Sequence, residues 1–286
     1  MKVLVLGGGQ VATAVIKGAL QPYEIVRLGR EKLDITDGGR VAAALADIRP
    51  QWIINAAAYT AVDRAEDDPA AAQAVNDAAV ASLAQGASRH GSRLLHISTD
   101  FVFDGKSNRA YKPEDATNPL SVYGSTKLAG ERHVVANVTG IVLRTSWVYA
   151  SGGKNFVLTM LKLMREREQL SVVCDQIGAP TWASSVAAAI WGMVSADVPG
   201  GIYHWSDLGV ASWYDFAAAI QDEAMERGLL TRAASILPIP SAAYPTRATR
   251  PSFSLLDTSA ARAALAIPAR HWRHNLRTML DELRTA

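Results

Sequence analysis

A tyrosine and a lysine stand four apart in Tyr123-Gly124-Ser125-Thr126-Lys127, a spacing that sets both on one face of a helix. Upstream, the apolar run from Arg93 closes in His96-Ile97-Ser98-Thr99-Asp100, which puts a hydroxyl at the carboxyl end of a predicted parallel strand, where doubly wound folds bind their ligands. Hydroxyl, phenol and ammonium then converge. The chemistry of such a trio is proton exchange with a carbonyl oxygen: the ammonium lowers the phenol's pKa, Tyr123 gives or takes the proton near neutral pH, and Thr99 holds the oxygen. Lys127 has a second use, binding the ribose of a nicotinamide cofactor. The alternative for Tyr123 is a half-buried tyrosine with a satisfied hydroxyl, because Tyr-x-x-x-Lys alone is common by chance.

What favours the chemical reading is the start of the chain. The first predicted strand ends in Gly7-Gly8-Gly9-Gln10-Val11-Ala12, which fits G-x-G-x-x-A. One glycine makes the tight turn, the next lets the backbone approach a pyrophosphate, and the alanine lets helix and strand pack closely. The helix N-terminus that follows suits phosphate. At the end of the second strand, where an NAD-preferring site usually carries an acid for the ribose 2′-hydroxyl, the chain reads Leu28-Gly29-Arg30. Arg30 fits either a 2′-phosphate, favouring NADPH, or a solvated surface position, and Glu31 beside it keeps NADH in view.

The elements that position these residues follow from apolar patterning. Val/Ile/Leu runs at Lys2 to Leu6, Glu24 to Leu28, Trp52 to Asn55, Arg93 to Ser98 and Gly140 to Arg144 alternate with Ala-rich stretches of helical period. Runs apolar on both faces belong to a parallel sheet covered on both sides, so the expectation is an α/β, Rossmann-type doubly wound sheet. Helices are predicted over Val41 to Ile48, Ala70 to His90 (started by Asp68-Pro69) and Leu120 to Ala136 (preceded by Asn118-Pro119). Beyond Arg144 the pattern loosens: helices over Asn155 to Arg167, Ala183 to Ser195, Ser212 to Arg227 and Trp272 to Arg284, with strands near Leu170 to Val173 and Gly201 to Trp205. Leu237 to Pro251 reads as a long irregular loop, of the kind that often carries function. The division expected is a cofactor-binding domain over 1–147, with return segments near 176–205, and a smaller α/β substrate-binding domain made mainly of 148–286.

With 286 residues, 49% hydrophobic and 20% charged, the chain is apolar enough to bury a core, which excludes wholesale disorder. A net charge of +2 does not suit a nucleic-acid binder. Cys174 stands alone, so no internal disulfide or cysteine zinc site is possible, and no run reaches the length of a membrane span. A cytoplasmic protein without membrane or nucleic-acid partners is expected.

Glycine turn, threonine hydroxyl and Tyr-x-x-x-Lys in this order form the short-chain dehydrogenase/reductase pattern. Within it the chain resembles a narrower family, the dTDP-4-dehydrorhamnose reductases, along nearly its whole length. The matching segments are Asn55 to Asp63 (NAAAYTAVD), Ser98 to Gly105 (STDFVFDG), Asn118-Pro119-Leu120 leading to Val122-Tyr123-Gly124, and Lys127 to Glu131 (KLAGE). Arg144 to Tyr149 (RTSWVY), Asp175 to Thr181 (DQIGAPT), Tyr244-Pro245-Thr246, and Arg250-Pro251 with Ser254 continue the likeness.

The resemblance implies hydride transfer from NADPH or NADH to the 4-keto carbon of a dTDP-6-deoxy-L-hexulose, giving dTDP-L-rhamnose for cell-surface polysaccharide, with Tyr123 as proton donor. It further implies that Gly7 and Gly9, with Gln10 and Val11, cradle the pyrophosphate, that Asp34 and Ile35 border the adenine, and that Ala57, Ala58, Tyr59 and Thr60 line the path to the nicotinamide. Thr99, Asp100 and Trp147 would face the hexulose, and Gln176 and Arg250 the nucleotide. Two departures matter. The glycine turn is one residue shorter than the form frequent in these enzymes, and Ala12 to Val15 lacks the carboxylate through which some members share a metal between subunits. No metal is therefore expected, and monomer and homodimer both stay open. A dehydratase is disfavoured because Phe101 stands where a second acid is needed. A reductase or epimerase of another 4-keto-6-deoxy sugar, and a non-catalytic NADP-binding regulatory subunit, remain as alternatives.

Overall fold

The computed structural model describes residues 1–19, 23–268 and 270–285. Five strands come from the first half: β1 (Lys2–Leu6), β2 (Glu24–Leu28), β3 (Trp52–Asn55), β4 (Arg93–Thr99) and β5 (Ile141–Thr145). A sixth, Gly201–His204, arrives much later and lies along β5, giving one parallel sheet in the order Gly201–His204, β5, β4, β3, β1, β2. Every residue of β3 and β5 is buried, as expected of strands covered on both faces.

Alternate residues of the strands feed two cores. Val3 and Val5 of β1, with Ile54, Leu95, Ile141 and Leu143, pack against α1 (Gln10–Lys17) and the helix Ala183–Ser195. Leu4 and Leu6, with Ile53, Leu94 and Val142, face the helices Gly38–Ile48 and Ala79–His90. A third core joins the helices Phe156–Glu166, Trp213–Glu226 and Trp272–Thr285 beneath a parallel pair of strands, Gln169–Val173 and Ser235–Ile239.

Several elements differ from expectation. The single helix predicted over Ala70 to His90 is interrupted by a π turn at Ala74–Ala78, flanked by helices Pro69–Gln73 and Ala79–His90. The helix carrying Tyr123 spans Val122–Val135, and its cap is Ser121, whose hydroxyl accepts from the Gly124 amide at 3.1 Å, rather than Asn118-Pro119. Part of the Leu237 to Pro251 stretch belongs to the strand Ser235–Ile239, and short helices at Val62–Asp67 and Ser259–Leu265 carry no strong pattern.

Candidate active site

Between β1 and β3 the strand order reverses, and their carboxyl ends open a crevice. Gly7, with φ of 118°, turns out of β1; a Cβ there would lie 3.0 Å from the backbone of Ala56 and Ala57. Only glycine fits that approach. Gly9 caps α1 and faces open space, with nothing within 4 Å of a built Cβ, so the first amides of α1 point into an uncovered hollow. The guanidinium nearest the turn is Arg27, whose Nε donates to Gly7 O and whose Nη2 donates to Thr13 Oγ1, both at 3.4 Å. Arg30, expected at the 2′-phosphate, projects into solvent with its side chain 89% exposed, 3.8 Å from Asp34. Ile35 is buried in the sheet core rather than at a cleft surface, and the Asp34 carboxylate is taken up by Thr36.

The segment 57–60 is held from below. Asn55 Oδ1 accepts from the Ala57 amide at 3.1 Å. Asn76, pushed inward by the π turn, accepts from Tyr59 N at 2.9 Å, donates to Tyr59 O at 3.1 Å and donates to Thr126 Oγ1 at 3.2 Å. One buried amide thus ties this loop to the Tyr123 helix. That helix comes close because Gly130 presses on the π turn, where a Cβ would meet Asn76 O at 2.2 Å.

Thr99, Asp100, Tyr123 and Lys127 meet on one wall of the crevice. Thr99 Oγ1 donates to Asp100 Oδ1 at 3.0 Å and accepts from Phe101 N at 3.1 Å. Asp100 Oδ2 is buried without a partner, and burial raises that carboxyl to about 6 against hydrogen bonds from Ser254 and Thr99. The Tyr123 ring is half-buried and edge-on to Phe101. Burial of its hydroxyl pushes the phenol up to about 12, with a hydrogen bond to Thr99 pulling the other way and the Asp100 charge adding to the rise. Burial rather than the ammonium dominates the phenol: Lys127 is itself buried, burial brings it down to about 8 against the pull of Glu131, and its Nζ donates to Ile97 O at 2.6 Å. Tyr123 is held as an acid.

Across the crevice, Trp147 has a φ of 47° and stacks flat on Trp213 at 3.6 Å. Gly178 makes the room, since a Cβ would sit 2.6 Å from the Trp147 ring. Gly178→Ala should therefore cost about 1–3 kcal/mol and alter the coupled tryptophan signal in near-ultraviolet circular dichroism; an unchanged spectrum and melting temperature would show that the stack yields freely. Gln176 lies behind the stack, accepting from Trp213 Nε1 at 3.1 Å and donating to Ser241 Oγ at 3.0 Å. Arg250 reaches the crevice while gripped by Asp63 at 2.6 and 3.1 Å, which holds that carboxyl low.

The resulting cleft has a volume of about 1040 Å³. Gly9, Gln10, Val11, Ala58, Thr60, Thr99, Asp100, Tyr123, Lys127, Trp147 and Arg250 line it. Gly7, Ala57, Tyr59 and Gln176 support the wall from behind, and Arg30, Asp34 and Ile35 lie beyond it. Arg27, Asn76, Asp63 and Trp213 were not legible as site residues. Only the charge of Arg27 inside an apolar strand offered a signal. Among the described residues, no three His, Cys, Asp or Glu side chains come together as a metal site, and no helix is long and apolar enough to cross a membrane.

A family model described as the RmlD substrate binding domain matches residues 1–285. A dTDP-4-dehydrorhamnose reductase of Aggregatibacter actinomycetemcomitans is 40% identical, over 97% of this chain and 98% of that protein. The crystal structure of the Clostridium acetobutylicum dTDP-4-dehydrorhamnose reductase superposes with a TM-score of 0.93 at 33% identity, covering 99% of this chain and 100% of that one. That of the Bacillus anthracis enzyme, in complex with NADP, gives 0.92 at 32% identity over 98% and 99% of the two chains. Crevice, sheet order and sequence agree, and the chain belongs to the dTDP-4-dehydrorhamnose reductase family.

Proposed function

We propose that this chain is an NADPH-dependent reductase that converts the 4-keto group of dTDP-4-dehydro-6-deoxy-L-mannose to the alcohol of dTDP-L-rhamnose. The observation that carries the reading is the meeting of Thr99, Tyr123 and Lys127 in the same cleft as the open glycine turn. The residues present fit a dinucleotide: a Cβ-free hollow at Gly9, the uncapped amides of α1, and Ala58 and Thr60 along the wall toward Lys127. Arg27 over the turn, with the exposed Arg30 just beyond the cleft, favours the phosphorylated cofactor, and the resemblance assigns the stretch of Asp34 and Ile35 to the adenine.

The bound cofactor supplies a hydride to C4 of the keto sugar. The carbonyl π electrons move onto oxygen, and Tyr123 Oη gives that oxygen its proton. A phenol raised to about 12 keeps the proton in place until the oxygen becomes basic, and Thr99 holds the oxygen by a hydrogen bond. Lys127 lies one helical turn from Tyr123 and serves the ribose and the charge left on the phenolate. Trp147 offers a flat face to the hexulose, Asp100 accepts from a sugar hydroxyl, and Arg250 meets the diphosphate by sharing or leaving Asp63, with Gln176 behind the aromatic stack.

Loss of NADPH absorbance is measured with dTDP-4-keto-L-rhamnose made in situ from dTDP-glucose by a dehydratase and an epimerase, beside a control without the epimerase. Turnover only with the epimerase is expected. NADPH binding without turnover would overturn the proposal in favour of another keto sugar or a regulatory role.

A further inference from the structure

We propose that His96 and Asn55 form a tautomer switch that links the charge on Lys127 to the backbone of the segment 57–60. His96 is fully buried on β4 between two partners: Nδ1 lies 3.0 Å from Asn55 Nδ2, and Nε2 lies 3.0 Å from Lys127 Nζ. The Asn55 amide is not free to choose its direction, because its Oδ1 accepts from the Ala57 amide at 3.1 Å. Its NH₂ therefore faces the imidazole, and Nδ1 must accept. A neutral imidazole that accepts at Nδ1 carries its hydrogen on Nε2. That hydrogen points at Lys127 Nζ, which can receive it only as an amine with a free pair; the amine still donates to Ile97 O at 2.6 Å.

Adding a proton to Lys127 reverses the chain. An ammonium has no pair to offer, so Nε2 must accept and the hydrogen must move to Nδ1. Nδ1–H then requires an oxygen, which Asn55 provides only by rotating its amide, and the rotation takes Oδ1 away from the Ala57 amide. The imidazole cannot take up the proton itself, since burial and the Lys127 charge hold His96 far below its usual range. The charge state of Lys127 and the hydrogen bonding of Ala57, at the head of the segment whose Ala58 and Thr60 line the cleft, are thus two ends of one chain. Other charged and titratable groups set the midpoint without entering it. Tyr123 and Glu131 share the helix of Lys127, Asp100 follows β4, and Arg144 of β5 is paired with Glu131. Glu66 binds Val122 N at 2.8 Å, and His133 holds Asp77 of the π turn at 2.7 Å.

The coupling is a property of the free protein; only its consequence for turnover rests on the reductase reading above, in which His96 and Asn55 are positioning residues. The test is ¹⁵N nuclear magnetic resonance of the imidazole-labelled wild-type protein between about pH 6 and 10, with the His96 signals assigned by their absence in His96→Gln. The expected result is the Nε2–H tautomer at high pH, converting to Nδ1–H as pH falls through the Lys127 midpoint near 8, with the Ala57 amide shifting at the same midpoint. One tautomer at every pH, or an imidazolium, overturns the proposal. In His96→Gln a carbonyl oxygen can turn to Nζ without a tautomer, so the Lys127 midpoint should rise by about one pH unit. It is read as the pH dependence of NADPH affinity and, separately, of kcat. An affinity profile superimposable on that of the wild type would count against the link. Absence of turnover in both proteins, with the tautomer conversion intact, would count against the reductase reading alone.

Discussion

The Tyr123→Phe variant is expected to lose about 10²-fold or more in turnover while keeping most of its affinity for NADPH. The substitution removes one oxygen and little else: the ring keeps its edge-on contact with Phe101, 5.6 Å between centroids, and the helix Val122–Val135 keeps its Ser121 cap. What disappears is the one acid beside Thr99 whose proton is held firmly at neutral pH, since burial keeps the phenol at about 12. Water is a poor replacement where Phe101 and the strand end close the wall. Because the phenol stays protonated across the neutral range, loss of wild-type activity above pH 8 belongs to Lys127, at about 8, rather than to Tyr123. Steady-state kcat and NADPH titration by fluorescence separate the two quantities. An unchanged kcat would remove the phenol from the reaction.

The largest stability effect is expected behind the site. Arg144 and Glu131 are each only 2% exposed, and the guanidinium makes two bonds to the carboxylate, at 2.9 and 2.7 Å. Ser98 donates to the same carboxylate, and Arg144 also reaches Pro113 O at 3.3 Å and lies over the Phe103 ring. His204, 3.4 Å away, stays neutral and adds no second cation, because burial and Arg144 bring it down to about 3. Glu131→Leu leaves a buried cation unpaired and should lower unfolding free energy by about 3–5 kcal/mol, read from urea denaturation. Pairing it with Arg144→Leu should recover much of the loss, since neither charge then needs a partner. A single variant within about 0.5 kcal/mol of the wild type would mean that the pair carries no net stability.

The parts legible from the amino-acid order are those whose signal is local. β1 to β5 show as short apolar runs, the glycine turn as three adjacent residues, and Tyr123 with Lys127 as one helical turn. The resemblance added Arg250 and Trp147, which reach the cleft, and Gln176, which stands one layer back. What escaped depends on partners far along the chain. Asn76 meets Tyr59 through a π turn that apolar periodicity does not register, and Arg250 meets Asp63 across 187 positions. Arg27 had no visible reason to lean over Gly7, and Arg30, in the familiar place after the second strand, drew the attention instead. The strand Ser235–Ile239 carries a proline and a mostly exposed pattern, so only its parallel partner Gln169–Val173 defines it. The phenol's raised pKa was hidden for the same reason: burial is a property of the assembled walls.

The late strand Gly201–His204 has a consequence for synthesis on the ribosome. Ile141 to Thr145 are complete before the helices Phe156–Glu166 and Ala183–Ser195 have been made, yet the neighbour that covers their outer edge follows both. Until it emerges, a strand destined for full burial presents unpaired amides and carbonyls to any other nascent chain. A fragment cut near residue 150 would keep every motif of the nucleotide crevice's first half and still expose that edge permanently, so the cofactor-binding half is not a separable piece of this molecule.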